Sequence, residues 1–160
     1  MRARILPALF LLGLMTACGQ GPHLEGSVTS LLDLRYETAE AQVSEEEASV
    51  RFLTVQGAGE NTILKVAARL DDLTLTPGVE IDLAELLGET PDSPQRGAVS
   101  RSVLDEPQRD FPRLLRGGLT FDKAVTPQSK VSGELHVTFV NGTDVYSGRT
   151  IFGRFEATVP

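Results

Sequence analysis

Along most of this chain, apolar and polar residues alternate one by one. A period of two sends every second side chain to the same face, which is the pattern of a half-buried strand. The alternation begins at Leu24. Gly26, Val28, Ser30, Leu32, Leu34 and Tyr36 follow in phase, Glu25, Ser27, Thr29, Asp33 and Arg35 lie between them, and only Leu31 breaks the pattern. One strand is therefore predicted over residues 24–36.

The charged stretch "SEEEAS" predicts a turn. Ser44 and Glu47 have capping-box spacing, but the stretch is too short for a stable helix. Two β-rich runs, "ASVRFLTVQ" and "TILKVAARL", flank "GAGEN" and predict a hairpin. Leu64, Val66, Ala68 and Leu70 share one face of the second run, which is read as strand although Ala, Arg and Leu also favour helix. Two short strands are expected around Pro77-Gly78. Asp82-x-x-Glu85 before Leu86, Leu87 and Gly88 predicts one capped helical turn. "GETPDSPQRG" and "DEPQRDFPR" are loops by their Pro, Gly and Ser content, with a weak strand, "AVSRSVL", between them.

The last third is the most regular. "RLLRGGLTFDKA" predicts a strand and "VTPQS" a turn. Val131, Gly133, Leu135, Val137 and Phe139 form one face of the next strand, and Ile151, Gly153, Phe155, Ala157 and Val159 one face of the last. Asn141-Gly142 between them is a strong hairpin signal. A three-residue loop with a bulge at Gly142 would pair Phe139 with Thr143 and Val137 with Val145, and it keeps both apolar sets on one side. The predicted fold is all-β, an antiparallel β-sandwich with a closed β-barrel as the alternative, and at most one short helix.

The N-terminus reads differently. Arg2 and Arg4 precede an apolar run over residues 5–15, interrupted by Pro7 and Gly13. The run is about half the roughly 20 residues of a membrane-spanning helix. A basic start, a short apolar middle and small exit residues match a secretory signal. The exit is Leu14-Met15-Thr16-Ala17-Cys18, and Cys18 is the only cysteine. This stretch resembles the lipobox of bacterial lipoproteins. Thr16, Ala17 and Cys18 fit its pattern, and Met15 stands where leucine is usual. The resemblance covers about the first 20 residues. It implies cleavage before Cys18, a diacylglycerol thioether on its sulfur and acylation of its new amine. Two or three acyl chains hold a protein at a membrane for a long time, whereas one does so marginally. A plain secretory signal with a chance cysteine is the alternative. The expected organisation is a signal peptide over 1–17, a lipidated tether over 18–23 and one β domain over 24–160. Gly19 is not the Asp that retains enteric lipoproteins in the inner membrane, so the resemblance implies an outer-membrane location. The C-terminal strands are similar in style to those of small β-sandwich envelope lipoproteins of no assigned activity.

Charge and composition narrow the remaining options. Beyond residue 17 the chain keeps 13 basic and 22 acidic residues, a formal charge of −9. Such a surface is a poor match for nucleic acid or anionic headgroups. No internal disulfide is available to a chain with one cysteine.

Candidate chemistry is sparse. Only His23 and His136 occur, and His136 alternates with core positions beside Glu134 and Thr138, so it should face solvent. No metal site is expected, since zinc needs three or four converging ligands. The acidic pairs Asp71-Asp72 and Glu80/Asp82 lack the spacing of a calcium loop. There is no G-x-S-x-G elbow, and neither a catalytic residue nor a cofactor is assigned. Arg96, Arg101, Arg109, Arg113 and Arg116 crowd a short segment, interleaved with Asp92, Asp105, Glu106 and Asp110. Local salt bridging is the plain reading. An anion-facing patch built on Arg109, Arg113 and Arg116 is the sharper one. The expected function is that of a lipid-anchored envelope protein without catalysis, serving as a structural or protein-interaction module. Its partners would be the membrane through Cys18 and an envelope protein. Two alternatives stand: a binder of an apolar or anionic envelope ligand, and a small carboxylate-dependent hydrolase.

Overall fold

The structure, a computed structural model, describes residues 21–160. The predicted signal peptide, Cys18 and the first part of the tether lie outside the described residues. Nine of ten strands form one continuous path that folds over on itself, and the tenth pairs with the last strand. The strands are β1 (His23–Glu25), β2 (Thr38–Val43), β3 (Glu47–Gln56), β4 (Gly59–Arg69) and β5 (Ile81–Asp82). They continue with β6 (Gly97–Ser102), β7 (Arg109–Asp110), β8 (Leu114–Phe121), β9 (Lys130–Phe139) and β10 (Thr150–Thr158). One layer has the order β5-β8-β9-β10, with β1 on the far side of β10; the other has β2-β3-β4-β6-β7. The layers join where Thr158 of β10 meets Glu40 of β2, a parallel contact in an otherwise antiparallel arrangement. The path does not close on itself, so the molecule is a β-sandwich and the barrel alternative is discarded.

The core lies between the layers. Phe52, Phe121, Phe139 and Phe155 are fully buried there, and the Phe155 ring stands edge-on to both Phe121 and Phe52. The inward sets predicted for β9 and β10 are the buried ones, and β4 is a strand with Leu64, Val66, Ala68 and Leu70 inward. The turn before β3 is also as expected: Ser44 Oγ accepts the amide hydrogens of Glu46 and Glu47, and no helix follows.

Five expectations are corrected. The strand over 24–36 shrinks to β1. Gly26, at φ 144°, turns the chain out of the strand, and Ser27–Ser30 forms a single 3₁₀ turn tied to β10 through the Ser27 and Thr150 hydroxyls. Val28, Leu32 and Leu34 are still buried, because an irregular segment satisfies the same alternation. Of the two strands around Pro77-Gly78, only β5 forms. The helical turn after Asp82 is absent. Leu83 instead donates its N–H to the Gly117 carbonyl and accepts from the Gly97 N–H. Strands from both layers thus take the backbone groups a helix would have used. The segment 105–113, read as loop, contains β7.

The fifth correction concerns the terminal hairpin. Val137 pairs with Ile151, six residues beyond the expected Val145, so the connection runs from residue 140 to 149. Tyr146 is the reason. Its ring is buried against Phe111 at 4.8 Å, which draws the loop over the open end of the core. Asp144 accepts the Tyr146 N–H, and Gly148, at φ 69°, returns the chain to Val140. The slip is even, so no side chain of β10 changes face.

Candidate functional site

Strand direction defines two ends of the sandwich. β10 and β2 run the same way, so Val43, Glu47, Arg69, Phe121, Lys130 and Thr158 mark one end. The 140–149 loop, Leu114 and the Gln56-to-Gly59 turn mark the other. β1 is antiparallel to β10, with His23 against Arg154 and Glu25 against Phe152. Going backward from His23, the chain heads toward Glu156 and Thr158. Pro22 lines a groove there with Thr38, Ala39 and Glu156. The chain thus heads away from the 140–149 loop as it is followed back from His23 to Gly21.

The arginine segment splits into two kinds of residue. Arg96 and Arg101 are interior, on and just before β6. Arg96 is 4% exposed. It donates to Glu85 Oε2 at 2.6 Å and to the Arg69 carbonyl at 2.8 Å. Its hydrogen bond to Glu85 raises its pKa against the opposing effect of burial. Arg101 donates to the Ile63 carbonyl and to both oxygens of Glu106, and that bond lowers the Glu106 pKa. Local salt bridging is the right description of these two. Arg96→Ala should destabilise the domain by about 1–3 kcal/mol, mainly through lost packing and an unbonded Arg69 carbonyl. The exposed Glu85 can return to water, which limits the electrostatic share. Arg113→Ala should stay within about 0.5 kcal/mol. Urea titrations of the two variants check the distinction, and equal midpoints would refute it.

Arg109, Arg113 and Arg116 are different. All three are exposed, and none has a carboxylate within ion-pair distance among the described residues. Arg109 lies over the Tyr146 ring, 5.2 Å from its centre. Arg113 donates to the Ser93 carbonyl at 2.9 Å, and its own carbonyl accepts the Val140 N–H. Arg116 donates to Thr138 Oγ1 at 3.1 Å. The fold adds a fourth. Arg149 donates to the Val145 and Ser27 carbonyls and to Ser30 Oγ. All four therefore border the 140–149 loop. Arg35, Arg51, Arg69, Arg96, Arg101 and Arg154 each pair with a carboxylate. No spacing along the chain points to Arg149, because only the long loop brings it to the others.

Elsewhere the chemistry is quiet. His136 lies on the outer face of β9, with Nε2 3.0 Å from Glu80 Oε2, both half exposed over Gly118. His23 sits 3.4 Å from Glu25. Asp71 and Asp72 pair with Arg69 and Arg96. Among the described residues no three His, Cys, Asp or Glu side chains converge on a metal position. Asp33, held by the Arg35 guanidinium, titrates near 2. Burial raises the Tyr36 pKa. A groove of about 340 Å³ between β2 and the chain end is lined by Ala41, Val43, Val125 and Val159 and opens to solvent. No described helix is long and apolar enough to cross a membrane.

Compared with known proteins, the chain matches no family model, no curated sequence and no solved structure.

Proposed function

We propose that this chain is a lipid-anchored protein of the bacterial cell envelope, held to the outer membrane through Cys18, with its β-sandwich acting as a non-catalytic interaction module. The lipobox-like Leu14-Met15-Thr16-Ala17-Cys18 carries the reading. The position of β1 supports it. Only residues 19–22 separate Cys18 from the start of β1 at His23, a reach of about 17 Å when extended. An anchored domain would then stand close to the lipid surface on its tether end. The interaction role is favoured over a carrier role by an interior filled with phenylalanine side chains and by grooves that open to solvent. Ligand carriers instead enclose most of a bound molecule.

Cys18→Ser tests the anchor. The variant should lose all incorporation of a fatty-acid probe, keep its signal uncleaved by the lipoprotein-specific peptidase, and fail to partition like the wild type into detergent. Unaltered probe labelling would refute the proposal.

A further inference from the structure

The geometry points to a polyanion-binding rim at the end of the sandwich far from the tether, formed by Arg109, Arg113, Arg116 and Arg149 around the 140–149 loop. Only its orientation relative to the membrane rests on the anchored reading above. Three observations carry it. First, these four guanidinium groups have no carboxylate partner among the described residues, although the chain is acidic and six other arginines are all paired. Second, they are held in place by neutral groups, with Glu106 acting on Arg109 only from beyond ion-pair distance. Their partners are the Ser93, Val145 and Ser27 carbonyls, the Thr138 and Ser30 hydroxyls and the Tyr146 ring. A guanidinium carries five N–H donors, so each keeps donors for an oxyanion. Third, they come from four places, namely β7, the turn before β8, β8 itself and the residue before β10. That spread suits charges repeated along a flexible chain better than a single small ion.

Asp110 and Asp144 share this end, and Asp92 lines a groove with Arg113. Asp144 is occupied by the Tyr146 N–H. These carboxylates weaken the diffuse positive field. Binding therefore depends on direct guanidinium–oxyanion bonds, which are charge-assisted and often bidentate. The ligand class is a linear polyanion with phosphate or carboxylate groups along its length. It approaches from the aqueous side, because the chain runs backward from His23, level with Glu134 in the middle of β9, away from the rim at Thr138.

The test uses the mature lipidated protein in neutral phosphatidylcholine vesicles, titrated with fluorescent inorganic polyphosphate at several salt concentrations. The wild type should bind, with a log–log salt slope of roughly −3 for four neutralised charges. Replacing all four arginines with Gln should weaken binding by at least about tenfold and flatten the slope. The matching Lys65→Gln/Lys123→Gln/Lys130→Gln variant should bind like wild type. If the fourfold variant does not fold by circular dichroism, Arg113→Gln/Arg116→Gln, whose side chains each hold a single acceptor, is read in its place. Unchanged binding in the arginine variant, or a larger loss in the lysine variant, overturns the rim. Loss of polyphosphate binding when the vesicles contain phosphatidylglycerol would show the rim on the anchoring membrane and overturn the outward approach. Unlipidated Cys18→Ser protein, extracted in neutral detergent with its signal still attached, should also bind polyphosphate, so a failed anchor and a failed rim give different results.

Discussion

Phe155→Ala should remove a large part of the stability of this domain. The side chain is 1% exposed and its ring contacts Phe121 and Phe52 edge-on, at centroid distances of 5.8 and 6.2 Å. It therefore links β8 and β10 of one layer to β3 of the other. Truncating a buried Phe costs about 3–5 kcal/mol, the lost transfer energy plus a cavity. A domain of this size has roughly 5–15 kcal/mol in total, and no internal disulfide supports it. Phe152, three residues earlier, is 43% exposed on the outer face of the same strand, opposite His136. Phe152→Ala should cost less than about 1 kcal/mol, the scale of a cross-strand pair. Urea unfolding followed by far-ultraviolet circular dichroism suits a chain without tryptophan. A larger effect at Phe152 than at Phe155 would mean that the last strand has the opposite face inward.

Gly133→Ala should also be clearly damaging although it adds only one methyl group. Gly133 lies opposite Phe155 across the β9–β10 pair. A Cβ there would overlap the Thr120 carbonyl oxygen and the end of the Phe155 ring. The first is backbone and cannot swing aside, so β8 and β9 must separate locally. Overpacking of this kind costs about 1–3 kcal/mol, at times more. Gly142→Ala is the control: its Cβ would meet only the Ser147 hydroxyl at 3.2 Å, in an exposed loop. Combining Gly133→Ala with Phe155→Leu should recover part of the loss, since the two changes share one space and are not additive. A Gly133→Ala protein as stable as wild type would show that the sheet here is looser than the structure has it.

The hydrophobic pattern by itself determined the all-β class, the faces of β4, β9 and β10, and the burial of Phe139 and Phe155. These follow from a period of two, which depends only on neighbours along the chain. It also placed His136 on the outside. Tertiary structure alone decided the rest. The segment after Leu24 alternates as a strand does, yet Gly26 bends it away, and Val28, Leu32 and Leu34 reach the core from an irregular path. The turn after Asp82 had helical spacing, but strands from both layers claimed its backbone. Asn141-Gly142 marked a tight turn, and the burial of Tyr146 against Phe111 outweighed it. Packing also sorted the arginines. Arg96 and Arg101 went inside to bond main-chain carbonyls, and Arg109, Arg113 and Arg116 stayed on the rim with Arg149, which lies 33 residues after Arg116. Spacing in a sequence reports what one element can present to one side. Which side chains meet across elements depends on loop closure and packing, and these are properties of the whole fold.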